Sequence, residues 1–450
     1  MRNKNFSPFS FILYFFCFAI FAGAQSPDFI FLFIGDGMGE MQIIAAEEVK
    51  KINGEGLIFT KFPVKGWQKT SSANQTITDS AAAATAMACG RKTNNGILGI
   101  TPDGKELLSI AQIAHRNSWK IGILTSVSLD HATPAGFYAK SKGRNEYPEI
   151  ARQLSLSEFE FFGGGGLQGQ KAKEGEKDRL QLAIEKGYKI VRTRELLDKI
   201  QSNEKVFAFN HRLRSGASLP WALDYEEDDI KLSEFTRAAI KNLEDKKFFI
   251  MVEGGKIDWA CHSNDLSSAA AEILHFDDAV REAYSFYKKY PERTLIVVTA
   301  DHETGGLKKS NQQNPIFIIS KKISSEKLSS TLKDFQRESK KFEDILEYLK
   351  SQISFELTQD EINKLKKAWE DFLSGKENKS LYGKENPVAS TLNKIIALRS
   401  GFEFSSPNHT ASDVPVFAIG IGANEFSGSY ENTDIFSKLL SLMKLKLESE

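Results

Sequence analysis

The chain has 450 residues, of which 41% are hydrophobic and 26% are charged, as is typical of a folded globular protein. Lys+Arg and Asp+Glu both number 59, so no basic excess indicates nucleic acid as a specific ligand. Outside the N-terminal segment the cysteines are Cys89 and Cys261, which excludes a disulfide-dense scaffold and favours two buried free thiols over one disulfide.

The N-terminal segment is typical of a secretory signal peptide. Basic residues precede an apolar run at 11–21, and small residues fit cleavage after Ala24. The alternative, a membrane anchor, needs about 20 apolar residues, which is more than this run supplies. We therefore predict a signal peptide at 1–24 and a mature chain of 25–450 that is periplasmic or secreted, with no membrane association after cleavage.

Apolar runs that end in polar or acidic residues predict buried, mostly parallel strands. These runs are Phe29 to Ile34, Ile121 to Leu124, Phe248 to Val252 and Leu295 to Val298. Helical patterns lie between them, for example at Glu106 to Arg116 and at Leu266 to Lys289. The alternation predicts an α/β fold, a three-layer α/β/α sandwich with a large, mostly parallel central sheet. Ligands of such sheets gather beyond the carboxyl ends of the strands.

The stretch from about Lys308 to Phe404 is predicted to be a helical insertion, because it is rich in Lys, Glu, Ser and Asn and poor in strand patterns. Thr358 and Glu361 form a candidate capping box within it. We interpret its charged residues as a solvated face. The sequence leaves three roles open for this segment: it could serve as an interface, as a lid over the site, or as neither.

The motif Thr78-Asp79-Ser80 precedes an alanine-rich run that is a strong helix former. Ser80 is therefore expected at or near a helix N-terminus, where free N–H groups and the helix dipole favour an anion. Taken alone, a serine at this position is more often a plain helix cap.

Several other strand ends and loops carry carboxylates and imidazoles. Asp258 and His262 are spaced i, i+4 and share one helical face, and Asp301 and His302 directly follow a strand. Asp36 lies in a glycine-rich turn, and His409 precedes a strand-like run at Val414 to Ile419. Each residue alone has a simpler explanation, but together they form the mixed nitrogen and oxygen set that suits Zn²⁺.

With these motifs in place, the chain resembles the alkaline phosphatase family from about Phe29 to its C-terminal region. The motifs that carry the resemblance, in the family's order, are Asp36-Gly37-Met38-Gly39, Thr78-Asp79-Ser80-Ala81, His131-Ala132-Thr133-Pro134-Ala135, Glu253-Gly254-Gly255, Asp301-His302-Glu303-Thr304-Gly305-Gly306 and His409-Thr410.

The resemblance implies hydrolysis of small-molecule phosphate monoesters, with Ser80 as the residue that becomes phosphorylated and Arg144 as the clamp on the phosphoryl oxygens. It implies two Zn²⁺ and one Mg²⁺ per chain, and a possible homodimer. The implied zinc ligands are Asp36, Asp301 and His302 for one ion and Asp258, His262 and His409 for the other. The implied magnesium ligands are Asp36, Thr133 and Glu253.

Two positions near the third metal site differ from some bacterial relatives. His131 stands where those relatives have Asp, and it either orients water or a ligand or is a simple polar packing residue. Trp259 stands where they have Lys, so we expect product phosphate to be held less tightly. Cys261 is interpreted as a small buried residue rather than as a metal ligand.

Three rival functions are weaker. Sulfatases need a C/S-x-P-x-R pattern, which Ser80 and the four alanines after it lack. Diesterases typically lack the third metal site and the clamp arginine, so Thr133, Glu253 and Arg144 favour monoesters. A catalytically silent zinc or phosphate binding protein predicts a damaged nucleophile or missing ligands, and none is missing here.

Overall fold

The computed structural model describes residues 26–171, 175–376, 378–380 and 383–447. The predicted signal peptide at 1–24 lies outside these residues. Within them, no helix combines the length and the apolar character that crossing a membrane requires. Cys89 and Cys261 are both buried and free.

The described residues form sixteen strands. They are β1 (Phe29–Gly35), β2 (Val64–Lys69), β3 (Lys120–Thr125), β4 (Phe161–Gly164), β5 (Lys189–Val191), β6 (Val206–Phe209), β7 (Phe248–Glu253), β8 (Thr294–Ala300), β9 (Glu303–Thr304), β10 (Leu307–Lys309), β11 (Asn378–Ser380), β12 (Gly383–Glu385), β13 (Phe402–Phe404), β14 (His409–Thr410), β15 (Val414–Gly420) and β16 (Gly428–Glu431).

The same residues form fifteen α-helices. They are α1 (Glu40–Lys51), α2 (Ser80–Cys89), α3 (Ile110–Arg116), α4 (Ala132–Ala135), α5 (Tyr147–Leu156), α6 (Arg179–Glu185), α7 (Arg194–Asp198), α8 (Leu232–Leu243), α9 (Lys256–His262), α10 (Leu266–Lys289), α11 (Ser325–Arg337), α12 (Phe342–Ser351), α13 (Gln359–Leu373), α14 (Pro387–Arg399) and α15 (Asn432–Leu442).

Ten strands form one sheet in the order β16-β2-β15-β8-β1-β7-β3-β4-β6-β5. Neighbouring strands are parallel except where β15 runs antiparallel to β8 and β2. The predicted large, mostly parallel sheet is therefore confirmed. Each of the four apolar runs forms a strand, namely β1, β3, β7 and β8.

Helices cover both faces of this sheet, as the side chains of β1 illustrate. Phe31 and Phe33 pack into a cluster that includes residues of α1, α8 and α10, whereas Ile30 and Leu32 pack into a cluster that includes residues of α2, α3 and α15. Every residue of β1 is buried. A strand buried on both faces is continuously apolar, which explains its sequence and confirms the α/β/α layering.

Both helices predicted between strands are present. Helix α10 has the predicted bounds, but α3 begins at Ile110, four residues after the predicted start at Glu106. The early start was wrong because Ser109 and Gln112 form a capping box, which ends the preceding extended segment. Glu106 instead forms an isolated bridge with Ile100.

The 308–404 segment contains α11, α12, α13 and α14. Apolar side chains from these helices form a cluster separate from the two that flank the sheet. The predicted capping box of α13 is present, since Thr358 accepts from the Glu361 amide at 3.3 Å and Glu361 accepts from the Thr358 amide at 2.8 Å. The interpretation of this segment as an insertion stays a prediction.

Candidate functional site

The predicted ligand residues meet at the carboxyl edge of the central sheet. Strand β1 lies between β7 and β8, and the register pairs Ile34 with Glu253 and Gly35 with Ala300. Asp36 and Asp301 are therefore the first residues after neighbouring strands, beside Glu253 at the end of β7. The parallel register alone brings these three carboxylates to one place.

Ser80 is the first residue of α2 and is fully buried. The helix cap is Asp79, whose Oδ1 accepts from the Ala82 amide at 3.0 Å. The sequence left open that Ser80 is a plain helix cap, but in the structure Asp79 caps the helix. The Ser80 hydroxyl lies 3.2 Å from Nε2 of His302 instead, so it faces the ligand residues.

The first group of candidate ligands is Asp36, Asp301 and His302. Nε2 of His302 lies 3.4 Å from Oδ1 of Asp36 and 3.3 Å from Oδ2 of Asp301. All three side chains are fully buried. One ligand atom from each residue lies close enough to the others for a single ion to contact all three.

The second group is Asp258, His262 and His409. The two Nε2 atoms lie 3.0 Å apart, and Oδ1 of Asp258 lies 3.2 Å from that of His262. Each Nδ1 faces a backbone carbonyl, of Pro407 for His262 and of Thr78 for His409. Such contacts fix both rings so that their Nε2 atoms point toward a shared ligand.

The third group contains the predicted Asp36 and Glu253, with Thr133 beside Asp36 and His131 as an additional member. It brings Asp36 and Glu253 together with His131. Nδ1 of His131 lies 4.0 Å from Oε1 of Glu253, and the Thr133 hydroxyl donates to Oδ2 of Asp36 at 3.5 Å. The geometry thus favours a ligand-facing role for His131 over simple polar packing.

Several buried polar atoms of these groups have no hydrogen-bond partner among the described residues. They are Oδ1 of Asp36, Nδ1 of His131, Oε1 of Glu253 and Oδ2 of Asp301. Buried polar atoms are nearly always paired, so four such atoms at one edge of the sheet favour a partner that accepts electron pairs. A set of cations fits this requirement. Imidazole with carboxylate suits zinc in the first two groups, and the carboxylates and hydroxyl of the third group suit magnesium.

The electrostatics also favour cations. Burial raises the pKa of Asp301 to about 7, with repulsion from Asp258 adding to it, and burial raises the pKa of Glu253 to about 8. Burial and the neighbouring carboxylates raise the pKa of Asp36 as well. Burial also acts to raise the pKa of Asp258, but the adjacent His262 and His409 outweigh it and hold that pKa well below its ordinary value. Positive charge placed among these groups relieves the repulsion.

Arg144 lies beside the Ser80 region and is held by Asp79. Oδ2 of Asp79 accepts from Nη1 of Arg144 at 3.0 Å and from the Gly96 amide at 3.0 Å. Nη2 of Arg144 lies 3.4 Å from Nε2 of His131. Sequence reasoning missed Asp79, although its position beside Ser80 was available as an indication.

Thr304 was also missed, whereas Gly37 belongs to the glycine-rich turn that the sequence indicated around Asp36. The Thr304 hydroxyl donates to Oδ1 of Asp258 at 2.5 Å and lies 3.3 Å from Nδ1 of His302, so it contacts ligands of two groups. Gly37 has φ +69°, and a Cβ there would lie 2.9 Å from Oδ1 of Asp258. Only glycine permits this close approach.

Trp259 is half-buried beside the third group. Its ring centroid lies 6.0 Å from that of His131, with the rings 76° apart. The structure thus places every predicted site residue at this edge of the sheet or directly beside it.

Comparisons with known proteins agree with this geometry. A family model described as alkaline phosphatase matches residues 29–445. Alkaline phosphatase 4 of Bacillus subtilis (strain 168) is 30% identical over 438 residues, covering 92% of this chain and 88% of the relative.

Two solved structures extend the comparison. A cold-active alkaline phosphatase from the psychrophile Shewanella sp. matches with a TM-score of 0.79 and 29% identity, covering 92% of this chain and 99% of that one. A mutant of the alkaline phosphatase from the Antarctic bacterium TAB5, described as having Mg bound in its M3 site, matches with a TM-score of 0.69 and 29% identity. That match covers 94% of this chain and 100% of the TAB5 chain.

Proposed function

The chain belongs to the alkaline phosphatase family, whose members are phosphomonoesterases, and from this premise we propose that it hydrolyses small-molecule phosphate monoesters through a phosphoserine at Ser80. The Ser80 oxygen forms a bond to phosphorus while the ester P–O bond breaks and the alcohol leaves. Water then displaces the serine oxygen, releases inorganic phosphate and restores the hydroxyl.

The placement of Ser80 supports this role. Its oxygen lies at the first turn of α2, where backbone N–H groups and the helix dipole stabilise negative charge. Because Asp79 caps the helix, the Ser80 hydroxyl is available for chemistry. The single observation that carries the proposal is the 3.2 Å approach of this buried hydroxyl to His302 within the ligand groups.

Arg144 supports recognition of the phosphoryl group. A guanidinium offers a planar fork that matches two phosphoryl oxygens. Asp79 engages Nη1 and thereby fixes the plane of the fork beside the start of α2. We propose that Arg144 binds the two non-bridging oxygens in both chemical steps.

We propose two zinc ions and one magnesium ion as cofactors. The first group, Asp36, Asp301 and His302, and the second, Asp258, His262 and His409, would each hold a zinc. Asp36, Glu253 and Thr133 would hold magnesium, and we propose that His131 contacts that ion or one of its waters. Such cations, when bound, lower the pKa of a coordinated hydroxyl or water and neutralise charge on the phosphoryl and leaving oxygens.

Metal analysis combined with two substrates tests this proposal. Purified protein should contain about two zinc and one magnesium per chain and should hydrolyse p-nitrophenyl phosphate far faster than bis(p-nitrophenyl) phosphate. A preference for the diester would contradict the monoesterase assignment. Zinc content with no phosphate release between pH 7 and 10 would favour a silent binding protein.

Export and assembly are further proposals. The pattern at 1–24 supports secretion or a periplasmic location, and N-terminal sequencing of the mature protein should begin at Gln25. Family resemblance supports a homodimer, which sedimentation equilibrium measures directly.

A further inference from the structure

A cleft of about 550 Å³ joins the candidate site to the 308–404 segment. His131 and Trp259 line it from the catalytic side, and α11 and α14 line it from the other. Its volume lies within the range of small-molecule sites. Neither the ligand groups nor the nucleophile accounts for this space.

One face of α11 forms a wall of the cleft. Ser325, Ser329 and Lys333 are spaced by four residues, and Ser330 lies beside them. The adjacent stripe of the helix places Leu328 and Leu332 in the apolar cluster of the segment. That burial fixes the rotation of the helix, so the serines are turned toward the cleft and not only toward bulk solvent.

Aromatic side chains supply flat apolar surfaces in the same cleft, from Tyr147, Trp221 and Trp259. The indole N–H of Trp221 donates to Oε2 of Glu326 on α11 at 2.6 Å, and Nζ of Lys256 lies 4.0 Å from its ring centroid. Trp221 is therefore held firmly. Rigid aromatic faces beside hydroxyls complement a ring that has C–H faces and hydroxyl edges.

The charges of the lining oppose a second anionic group. Among the described lining residues, carboxylates come from Asp265, Glu326 and Glu385, while the cation is Lys333, which is exposed. Asp265 is paired with the buried Lys321 at 2.6 Å. The remaining carboxylates, Glu326 and Glu385, outnumber Lys333, and this net negative charge favours an uncharged occupant over one with an additional phosphate.

We propose that this cleft binds the alcohol portion of the substrate, and that this alcohol is a neutral polyhydroxylated ring, as in a sugar phosphate. The inference rests on the proposed monoesterase function and adds its substrate class. The ligand groups grip the phosphoryl group, while Ser329 and Ser330 of α11 bind hydroxyls of the sugar and the aromatic faces pack against its ring.

Two monoesters matched in size test the proposal. Glucose 6-phosphate and cyclohexylmethyl phosphate both have a six-membered ring on a primary alcohol, but only the first carries ring hydroxyls. The wild-type protein should show a kcat/KM at least tenfold higher for glucose 6-phosphate. Equal values for the two esters, with p-nitrophenyl phosphate hydrolysed normally, would overturn this inference and leave the proposed function intact. Failure to hydrolyse any monoester would overturn the proposed function itself.

A double variant locates the effect. In Ser329→Ala/Ser330→Ala, kcat/KM for glucose 6-phosphate should fall about tenfold, because two hydroxyl contacts are lost, while cyclohexylmethyl phosphate changes less than twofold. The matched control is Ser351→Ala/Ser374→Ala, since both serines lie in the same segment and donate to local backbone carbonyls. It should alter neither ester. An equal loss for both esters in the α11 variant, or no loss, would contradict the assigned cleft.

Discussion

The carboxyl edge of the sheet and the 308–404 segment are stabilised in contrasting ways. At the sheet edge, buried carboxylates such as Asp36, Glu253 and Asp301 crowd together, and each carries an oxygen atom that has no hydrogen-bond partner in the described part of the chain. In the segment, apolar side chains are buried together and helix ends are capped by side chains, as at Thr358. The crowded carboxylates at the sheet edge lower the stability of the apo protein but favour cation binding. In the segment, by contrast, the apolar side chains are buried and the helix ends are hydrogen-bonded without any cation.

A buried ionic cluster links the two regions. Nζ of Lys321 contacts Oδ2 of Asp265, the cap of α10, and also Ser325 of α11 and Asn393 of α14 at 2.6, 2.9 and 2.8 Å. We therefore predict that substitutions at the sheet edge mainly alter activity, whereas substitutions in the ionic cluster around Lys321 mainly alter stability.

The largest expected effect is on the nucleophile. Ser80→Ala should lower kcat for p-nitrophenyl phosphate by at least about 1,000-fold, because the proposed mechanism forms its covalent intermediate on the Ser80 oxygen. The melting temperature of the metal-loaded protein should change little, since Asp79 caps α2. A Ser80→Ala variant that kept a tenth of the wild-type rate would break the assignment. Ser351→Ala, an exposed serine elsewhere, serves as the control.

The next largest effect is expected on stability, at the buried ionic cluster around Lys321. Lys321→Met leaves the carboxylate of Asp265 buried without its cation, so we expect the free energy of unfolding to fall by about 3 kcal/mol, or roughly 100-fold in the unfolding constant. Urea unfolding measures it, and the exposed neighbour Lys322→Met should change the stability by less than about 0.5 kcal/mol. Equal stabilities of the two variants would show that the ionic cluster does not hold the regions together.

A smaller effect is expected at Asp79. Asp79→Asn keeps a good helix cap but removes the charge that holds Arg144. The inhibition constant for inorganic phosphate should rise about tenfold, because the guanidinium loses its fixed plane. Asp103→Asn, on an exposed loop, is the matched control. Unchanged phosphate inhibition would remove Asp79 from the phosphate-binding machinery.

The smallest effect concerns the apo protein. Since Asp301 and Glu253 have raised pKa values of about 7 and about 8 when folded, the native state binds more protons than the unfolded state at neutral pH. Stability must then fall as pH rises toward those values. We expect the melting temperature of chelator-treated protein to drop by about 3 °C from pH 6.5 to 8.5, and added zinc and magnesium to abolish the drop. An apo protein that became more stable over this interval would contradict the proposed repulsion.

The sheet edge was more predictable from sequence than the segment was. Parallel strands place the residues that follow them at one edge, so Asp36 and Asp301 could be brought together from pattern alone. Cap identity depends on side-chain geometry at a single turn, and for this reason Ser80 and Asp79 could not be told apart as caps. The approach of His131 to Glu253 depends on the conformation of the loop before α4, which no repeating sequence pattern predicts.

The segment shows what pattern analysis cannot supply. The segment was predicted to be helical, and Leu328 and Leu332 of α11 lie in its apolar cluster. The charged residues of the segment were interpreted as a solvated face, because composition does not distinguish a face toward water from one toward a cleft. That distinction depends on how the segment packs against Trp221 and Asp265, which are distant in sequence.

Identification of the phosphorylated residue tests the central claim most directly. Protein incubated with excess inorganic phosphate or substrate, quenched in acid and digested should yield a peptide phosphorylated at Ser80, as measured by mass spectrometry. The same treatment of Ser80→Ala should yield no phosphorylated peptide. Phosphate on a different residue, or continued turnover without any phosphorylated peptide, would contradict the account.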